Sequence, residues 1–156
     1  MLVVLVFLAA LLTGCETPPP PPPGVIVVSL DTLRADRLGA WGNARGLTPN
    51  LDRFAAESLI FDQAFAQANE TLYSHASMFT SRYPSELGPL TARFTLPDAV
   101  PTLAGVLGKY GWQTAAYVAG GHMAREFGLE RGFGVYESVV DWGSLHDTVP
   151  LALRWL

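Results

Sequence analysis

The run Val25-Ile26-Val27-Val28-Ser29-Leu30 is the stretch that indicates the fold, and Asp31 follows it directly. Its apolar residues are continuous rather than alternating, which is typical of a strand buried on both faces of a parallel sheet. In open α/β sheets, ligands gather at the carboxyl ends of the strands. The run therefore predicts a strand with Asp31 at the edge where a site would form.

Signals for helices and strands alternate along the rest of the chain. Thr48 and Pro49 together predict a helix N-terminus, because Thr is a favoured N-cap and Pro is favoured at the first helical position. The other predicted elements are a strand at 59–66, a helix at 74–80, a helix from Pro101 to Gly111, a strand at 113–119 and a helix at 146–156. This alternation predicts an α/β fold with a mainly parallel sheet flanked by helices.

The N-terminal segment differs in composition from the rest. Residues 2–12 are wholly apolar, which is too short to span a bilayer comfortably but suits the core of a signal peptide. The following Leu12-Thr13-Gly14-Cys15 resembles the lipobox of bacterial lipoproteins, in which the cysteine is lipidated. Because no Lys or Arg precedes Cys15, an ordinary signal peptide or a short anchor helix is the alternative.

The expected domain organisation follows from these boundaries. Residues 1–15 are predicted to be a signal peptide with a lipobox, and 16–24 a Pro-rich linker. Six consecutive prolines from Pro18 favour an extended, semi-rigid spacer. Residues 25–156 form the folded part. The chain is then expected at the bacterial cell envelope, held by a lipid anchor on the periplasmic side or the outer surface.

The charge balance argues against one class of partner. The chain has ten Lys and Arg against fourteen Asp and Glu, which gives a net charge of −4. Nucleic-acid-binding domains usually carry a clustered basic surface. We therefore expect no nucleic-acid partner.

Several motifs occur in a fixed order, and together they carry more weight than Asp31 alone, which could simply cap a helix. They are the segments 29–39, 48–52, 71–84 and 128–133. This ordered set resembles the N-terminal region of sulfatases and of sulfatase-like hydrolases in the alkaline phosphatase superfamily. The resemblance implies an incomplete alkaline-phosphatase-like fold and hydrolysis of sulfate or phosphate esters.

The resemblance also implies a divalent metal, which could be Ca2+, Mn2+, Mg2+ or Zn2+. Its predicted ligands are Asp31, Thr32 and Thr71. Thr32 falls where many sulfatases have a second aspartate. Thr71 falls on the nucleophile, where sulfatases carry a Cys or Ser that is oxidised to formylglycine. Because threonine cannot be oxidised in this way, we expect no formylglycine.

The identity of Thr71 leaves two alternatives open. Threonine is the nucleophile in related phosphoethanolamine and phosphoglycerol transferases, which favours phosphoester or phosphodiester chemistry. Thr71 could instead be only the N-cap of the helix that follows.

The motif could also be aligned in a second register. That register would place Ser74 to Met78 on the motif, with Met78 replacing the family's arginine.

Three further residues are candidates for supporting roles. His75 falls on the family's arginine position and is predicted to be catalytic, by binding the anion or orienting the nucleophile; a structural histidine is the alternative. Ser74 is predicted to bind substrate or to cap the helix. His122 lies where sulfatases carry Gly-Lys-x-His, with Gly120 in place of the lysine, and is a candidate general acid or anion-binding residue; a loop histidine with no role is the alternative. His146 matches no motif, and we expect it at the exposed start of a helix.

The family's remaining metal ligands would lie beyond residue 156. We therefore expect a truncated chain that binds metal weakly and hydrolyses little by itself. The expected partner is a sulfated or phosphorylated small molecule, glycan or lipid head group. The alternative is a non-catalytic envelope lipoprotein whose domain binds an anion or another protein.

Overall fold

The computed structural model describes residues 24–89, 91, 94–139 and 142–156. The chain divides into two compact units, Met1–Leu30 and Asp31–Leu156. Residues 1–23 lie outside the described part, so the signal peptide, Cys15 and the proline run remain predictions. Over the residues that are described, no helix has the length and apolarity that a membrane crossing requires.

The described part contains four α-helices and two β-strands. In chain order they are α1 (Pro49–Ala56), α2 (Thr71–Thr80), α3 (Leu103–Lys109), β1 (Ala115–Val118), β2 (Val135–Ser138) and α4 (Leu145–Trp155). The strands pair in parallel, with Ala115 opposite Val135 and Val118 opposite Ser138. Helix α4 packs against β1. The α/β class and the parallel sheet are therefore confirmed.

The helix termini explain why the predicted helices form where they do. Thr102 caps α3, because its hydroxyl accepts a hydrogen bond from the Gly105 N–H at 3.1 Å. Ser144 caps α4, and the Asp147 carboxylate accepts reciprocal bonds from the Ser144 hydroxyl and N–H, each at 2.8 Å. These hydrogen bonds lower the pKa of Asp147. His146 is exposed in the first turn of α4, as predicted.

Two of the predicted strands are wrong. Residues 25–30 and 59–66 form no regular strand, and representative side chains such as Val28 (72% exposed) and Leu59 (81% exposed) face solvent. β-propensity mainly reflects packing against neighbouring strands, so an apolar run without such a neighbour need not become one. The sheet of the described residues consists of β1 and β2, and neither run belongs to it. The predicted strand at 113–119 is confirmed over Ala115–Val118, whereas β2 was not predicted.

The hydrophobic core lies along one face of α2. Its buried members are Leu72, Tyr73, Ala76, Leu87, Phe94, Leu96, Val100 and Leu129. Tyr73 anchors the helix twice, through an edge-on contact with Phe94 at 5.1 Å between ring centroids and a 2.9 Å hydrogen bond from its hydroxyl to the Thr91 carbonyl. The core thereby holds the N-terminus of α2, which carries the candidate nucleophile, in a defined position.

The segment 128–133 joins the core to α3. Leu129 is 1% exposed, and the Arg131 carbonyl accepts a 2.7 Å hydrogen bond from the Thr102 hydroxyl. The Arg131 guanidinium donates to the carbonyls of Pro97 and Asp98, at 3.0 and 2.9 Å. This motif therefore has a structural role, since the Arg131 side chain ties it to the loop at Pro97 and Asp98 and the Arg131 carbonyl ties it to the start of α3.

Candidate active site

Thr71 is the first residue of α2, and its side chain points to Asp31. The Thr71 hydroxyl donates to both carboxylate oxygens, at 3.0 Å to Oδ2 and 3.2 Å to Oδ1. Glu70 occupies the N-cap position, so the alternative that Thr71 is the N-cap is wrong. The helix also begins at Thr71 rather than at Ser74, because residues 71–73 already continue the helical backbone. Two residues 40 positions apart are thus brought together.

The electrostatic setting of this pair favours negative charge. A helix N-terminus carries a partial positive charge, and its first N–H groups have no partner within the helix. The first amide of α2 to bond backwards is that of Ser74, which donates to the Glu70 carbonyl at 3.0 Å. The exposed Asp31 carboxylate lies at this positive end, where an additional anion would also be stabilised.

The Asp31–Thr71 spacing fits two neighbouring ligands of one divalent cation. Metal–oxygen bonds of about 2.1–2.4 Å at right angles place adjacent ligand oxygens roughly 3.0–3.4 Å apart. The observed separations of 3.0 and 3.2 Å match this range. These two side chains can supply only part of a shell of about six oxygens. Among the described residues, no group of three or more His, Cys, Asp or Glu could complete it.

Thr32, the third predicted metal ligand, has an unusual backbone conformation. Its φ is 57°, in the left-handed region that β-branched residues rarely occupy. Such a conformation costs about 1–2 kcal/mol for a residue with a Cβ. Over the described part of the chain, no hydrogen bond joins Thr32 to Asp31 or Thr71. Thr32 therefore shapes the turn that carries Asp31, while its role as a ligand stays a prediction.

His75 and Ser74 lie in the first turn of α2, next to Thr71. His75 is 7% exposed, and its Nδ1 lies 2.8 Å from the Thr71 carbonyl oxygen. Because a carbonyl only accepts, this contact is a hydrogen bond when Nδ1 carries the proton. His75 thus braces the backbone of the candidate nucleophile. Ser74 is half-buried three residues after Thr71, a spacing that places both on one side of the helix.

His122 makes no hydrogen bond to the Asp31–Thr71 pair within the described residues. It belongs to the single-turn helix Gly121–Met123, which packs against α2. Its ring is edge-on to Phe127 and Trp142, at centroid distances of 6.1 and 6.2 Å. Within the described residues, no hydrogen bond connects His122 to Asp31 or Thr71, so its role as general acid remains a prediction.

Tyr136 holds the turn of His122 in place, and the sequence analysis did not identify it. The Tyr136 hydroxyl donates a 2.6 Å hydrogen bond to the Met123 carbonyl, and the Tyr136 carbonyl accepts a hydrogen bond from the Arg125 guanidinium. Burial, aided by the negative charge of Glu130, raises the pKa of Tyr136 to about 12. Its only signal in the sequence was a β-prone Val-Tyr pair after Gly134.

We expect Tyr136 to make the chain less stable at alkaline pH. The ordinary phenol pKa is 10.0 and the folded value is about 12, so folding favours the protonated phenol. The stabilisation is complete below pH 10 and is lost as the pH rises towards 12. Urea unfolding between pH 9 and 12 measures this loss. Tyr136→Phe should start less stable yet lose less with pH, and parallel curves for the two proteins would contradict this assignment.

Comparisons with known proteins identify the family of the chain. The sulfatase family model matches residues 23–148, which is most of the chain. The chain therefore belongs to the sulfatase family.

Individual relatives are similar over about two thirds of the chain. An N-acetylgalactosamine-6-O-sulfatase of Bacteroides thetaiotaomicron is 26% identical, over 67% of this chain and 23% of its own length. Arylsulfatase A of Bos taurus is 34% identical over 69% of this chain and 21% of its own length, and arylsulfatase D of Homo sapiens is 30% identical over 71% and 21%. The chain thus spans about a fifth of the length of these relatives. No solved structure gives a significant match.

Proposed function

We propose that this chain carries the nucleophile side of a metal-dependent hydrolase of sulfate or phosphate esters. The observation that carries the proposal is the hydrogen bond from Thr71 Oγ1 to the Asp31 carboxylate at the N-terminus of α2. It pairs a hydroxyl nucleophile with an anionic metal ligand at a helix end that attracts anions. Membership of the sulfatase family supports ester hydrolysis.

In this proposal each group at the site has a separate role. Asp31 accepts a hydrogen bond from the Thr71 hydroxyl. This bond directs the lone pairs of the Thr71 oxygen away from the carboxylate and towards an incoming ester. The free N–H groups of the α2 N-terminus bind the nonbridging ester oxygens. His75 keeps the Thr71 backbone in place. A divalent cation held by Asp31 and Thr71 would lower the hydroxyl pKa and neutralise the charge of the ester.

The threonine side chain guides the choice of ester. Sulfatase chemistry through formylglycine starts from Cys or Ser, and Thr71 cannot supply it. We therefore propose direct attack by the Thr71 oxygen on phosphorus or sulfur, with the hydroxyl proton passing to Asp31 as the bond to the alcohol oxygen breaks. The alcohol leaves with a proton from water, and a second water then hydrolyses the phospho- or sulfo-threonine. This favours phosphoesters or phosphodiesters as substrates, although the relatives' names are those of sulfatases. The carrier could be a small molecule, a glycan or a lipid head group.

The proposed location is the bacterial cell envelope. Lipidation of Cys15 would tether the chain, and the proline run would hold the domain off the membrane. Substrates would then be those that reach the envelope surface.

Hydrolysis of three chromogenic esters tests the proposal. The chain is assayed with p-nitrophenyl sulfate, p-nitrophenyl phosphate and bis-p-nitrophenyl phosphate, each with Mn2+, Ca2+, Mg2+ or Zn2+ and with a chelator. We expect slow turnover that depends on the cation and is fastest on a phosphate ester. Absence of turnover in every combination, together with retained anion binding, would instead support the non-catalytic lipoprotein.

A further inference from the structure

Thr32 has a backbone conformation that is unusual both for its residue type and for its place in the chain. Its φ of 57° lies in the left-handed region, where a β-branched residue is an outlier. In the described part of the chain, Ser81 is the other non-glycine residue with a positive φ, but it ends α2, where a left-handed residue is ordinary. Thr32 instead shares a turn with Asp31 and follows no helix. Its conformation therefore has a cause other than helix termination.

On its N-terminal side, Thr32 is tied to α2 through its neighbour. The Asp31 carboxylate accepts the hydrogen bond from the Thr71 hydroxyl, at 3.0 Å to Oδ2. Thr71 is itself fixed, because α2 packs into the hydrophobic core. The residue before Thr32 thus has a defined direction.

On its C-terminal side, the chain is anchored to α1. The Asp52 carboxylate accepts hydrogen bonds from the Ala40 N–H and from the Thr48 hydroxyl, each at 3.0 Å. A Cβ at Gly39 would collide with this carboxylate, so the approach is close. The segment from Asp31 to Ala40 is held at both ends, and a strained conformation persists only where surrounding contacts hold it in this way.

The side chain of Thr32 takes no part in these contacts. It is exposed, and within the described residues its hydroxyl makes no hydrogen bond. The link between Thr32 and the candidate site therefore runs through the backbone and not through the hydroxyl.

We propose that Thr32 is a positioning residue, whose left-handed backbone directs the Asp31 carboxylate towards the Thr71 hydroxyl. A φ of about −65° in place of 57° would turn the chain at this point and separate the two side chains. The Thr32 hydroxyl is then dispensable, which distinguishes this role from that of a metal ligand. The inference deepens the proposed function and rests on it only for the use of the Asp31–Thr71 pair in binding a cation.

Three substitutions of Thr32 in the full chain separate its backbone from its side chain. Thr32→Gly permits the left-handed conformation and has no side chain, whereas Thr32→Val keeps the branched shape and lacks the hydroxyl. Thr32→Pro forbids a positive φ. The first measurement is the backbone amide signal of Thr71 in NMR spectra of the metal-free chain, with Asp31→Ala as the reference for a lost contact. The second is the affinity for Mn2+.

We expect Thr32→Gly and Thr32→Val to keep the parent's Thr71 signal and its affinity for Mn2+. Thr32→Pro should move the Thr71 signal as Asp31→Ala does, and should weaken Mn2+ binding about tenfold or more. The signal of the buried Leu129 should stay unchanged in all three variants, which shows that the core is intact. If Thr32→Pro disturbs Leu129, the glycine and valine variants decide between a positioning residue and a ligand.

Two results would overturn the positioning role. Weaker Mn2+ binding in both Thr32→Gly and Thr32→Val would make the hydroxyl a ligand, and an unchanged Thr71 signal in Thr32→Pro would show that the backbone conformation has no effect. If the parent binds no Mn2+ but its Thr71 signal responds to the substitutions as expected, the proposed function fails and the positioning role stands. Mn2+ binding that Thr32→Pro leaves unchanged has the opposite meaning.

Discussion

Gly132→Ala is expected to lower the free energy of unfolding by roughly 2–5 kcal/mol. Gly132 has a φ of +88°, and a Cβ there would collide with the backbone of Gly105 and Ala104 in α3. An alanine in the left-handed region costs about 1–2 kcal/mol, and forced overpacking adds about 1–3 kcal/mol. The neighbouring contacts leave little room to relax, because the Gly132 carbonyl accepts a 3.0 Å hydrogen bond from the Thr114 hydroxyl.

Gly111→Ala is the matched control for this prediction. Gly111 has a similar φ of +83°, but no atom lies within 4 Å of the position of its Cβ. Its substitution should therefore cost only the conformational term of about 1–2 kcal/mol. Thermal and urea unfolding of both variants measure the difference. Equal destabilisation would show that the close approach of α3 to the 128–133 segment does not contribute.

Thr71→Ala should reduce cation-dependent ester hydrolysis to the uncatalysed baseline. Loss of a nucleophile typically lowers turnover about a thousandfold or more. Thr71→Ser keeps the hydroxyl and should retain turnover. Thr80→Ala is the control, since Thr80 lies at the other end of the same helix and its hydroxyl donates to the Ala76 carbonyl at 2.7 Å.

The comparison that decides this prediction is between the two alanine variants. Initial rates on the ester that the parent hydrolyses best are measured with each protein at equal concentration, after circular dichroism has shown the same helix content. Hydrolysis by Thr71→Ala at the parent rate would remove Thr71 from the reaction. Equal losses in Thr71→Ala and Thr80→Ala would point to damage of α2 rather than to chemistry.

Helices were predicted better than strands, for a physical reason. The starts of α3 and α4 depend on local signals, such as the Thr102 and Ser144 caps, which a single sequence displays. A strand depends on a partner that is distant in the chain. The apolar run 25–30 carries a strong strand signal but joins no sheet in the described residues, whereas the short β2 pairs with β1 although its own signal is weak.

The order of the motifs predicted which residues belong to the site, but not the contacts between them. The order of the motifs paired Asp31 with Thr71, and the hydrogen bond between them agrees with that pairing. Spacing could not show that His75 bonds the Thr71 carbonyl, because that contact depends on where the helix begins. Nor could it reveal the antiparallel bridge between Trp142 and Gly120.

Binding of Mn2+ to the full chain tests the central claim most directly. Paramagnetic broadening of backbone amide signals would be recorded for the parent, for Asp31→Asn and for Asp36→Asn. The control residue Asp36 is also exposed, but it pairs with Arg34 at 2.7 Å. We predict broadening centred on residues 31–32 and 71–75, which disappears in Asp31→Asn and persists in Asp36→Asn. Broadening elsewhere, or unchanged broadening in Asp31→Asn, would contradict a cation site shared by Asp31 and Thr71.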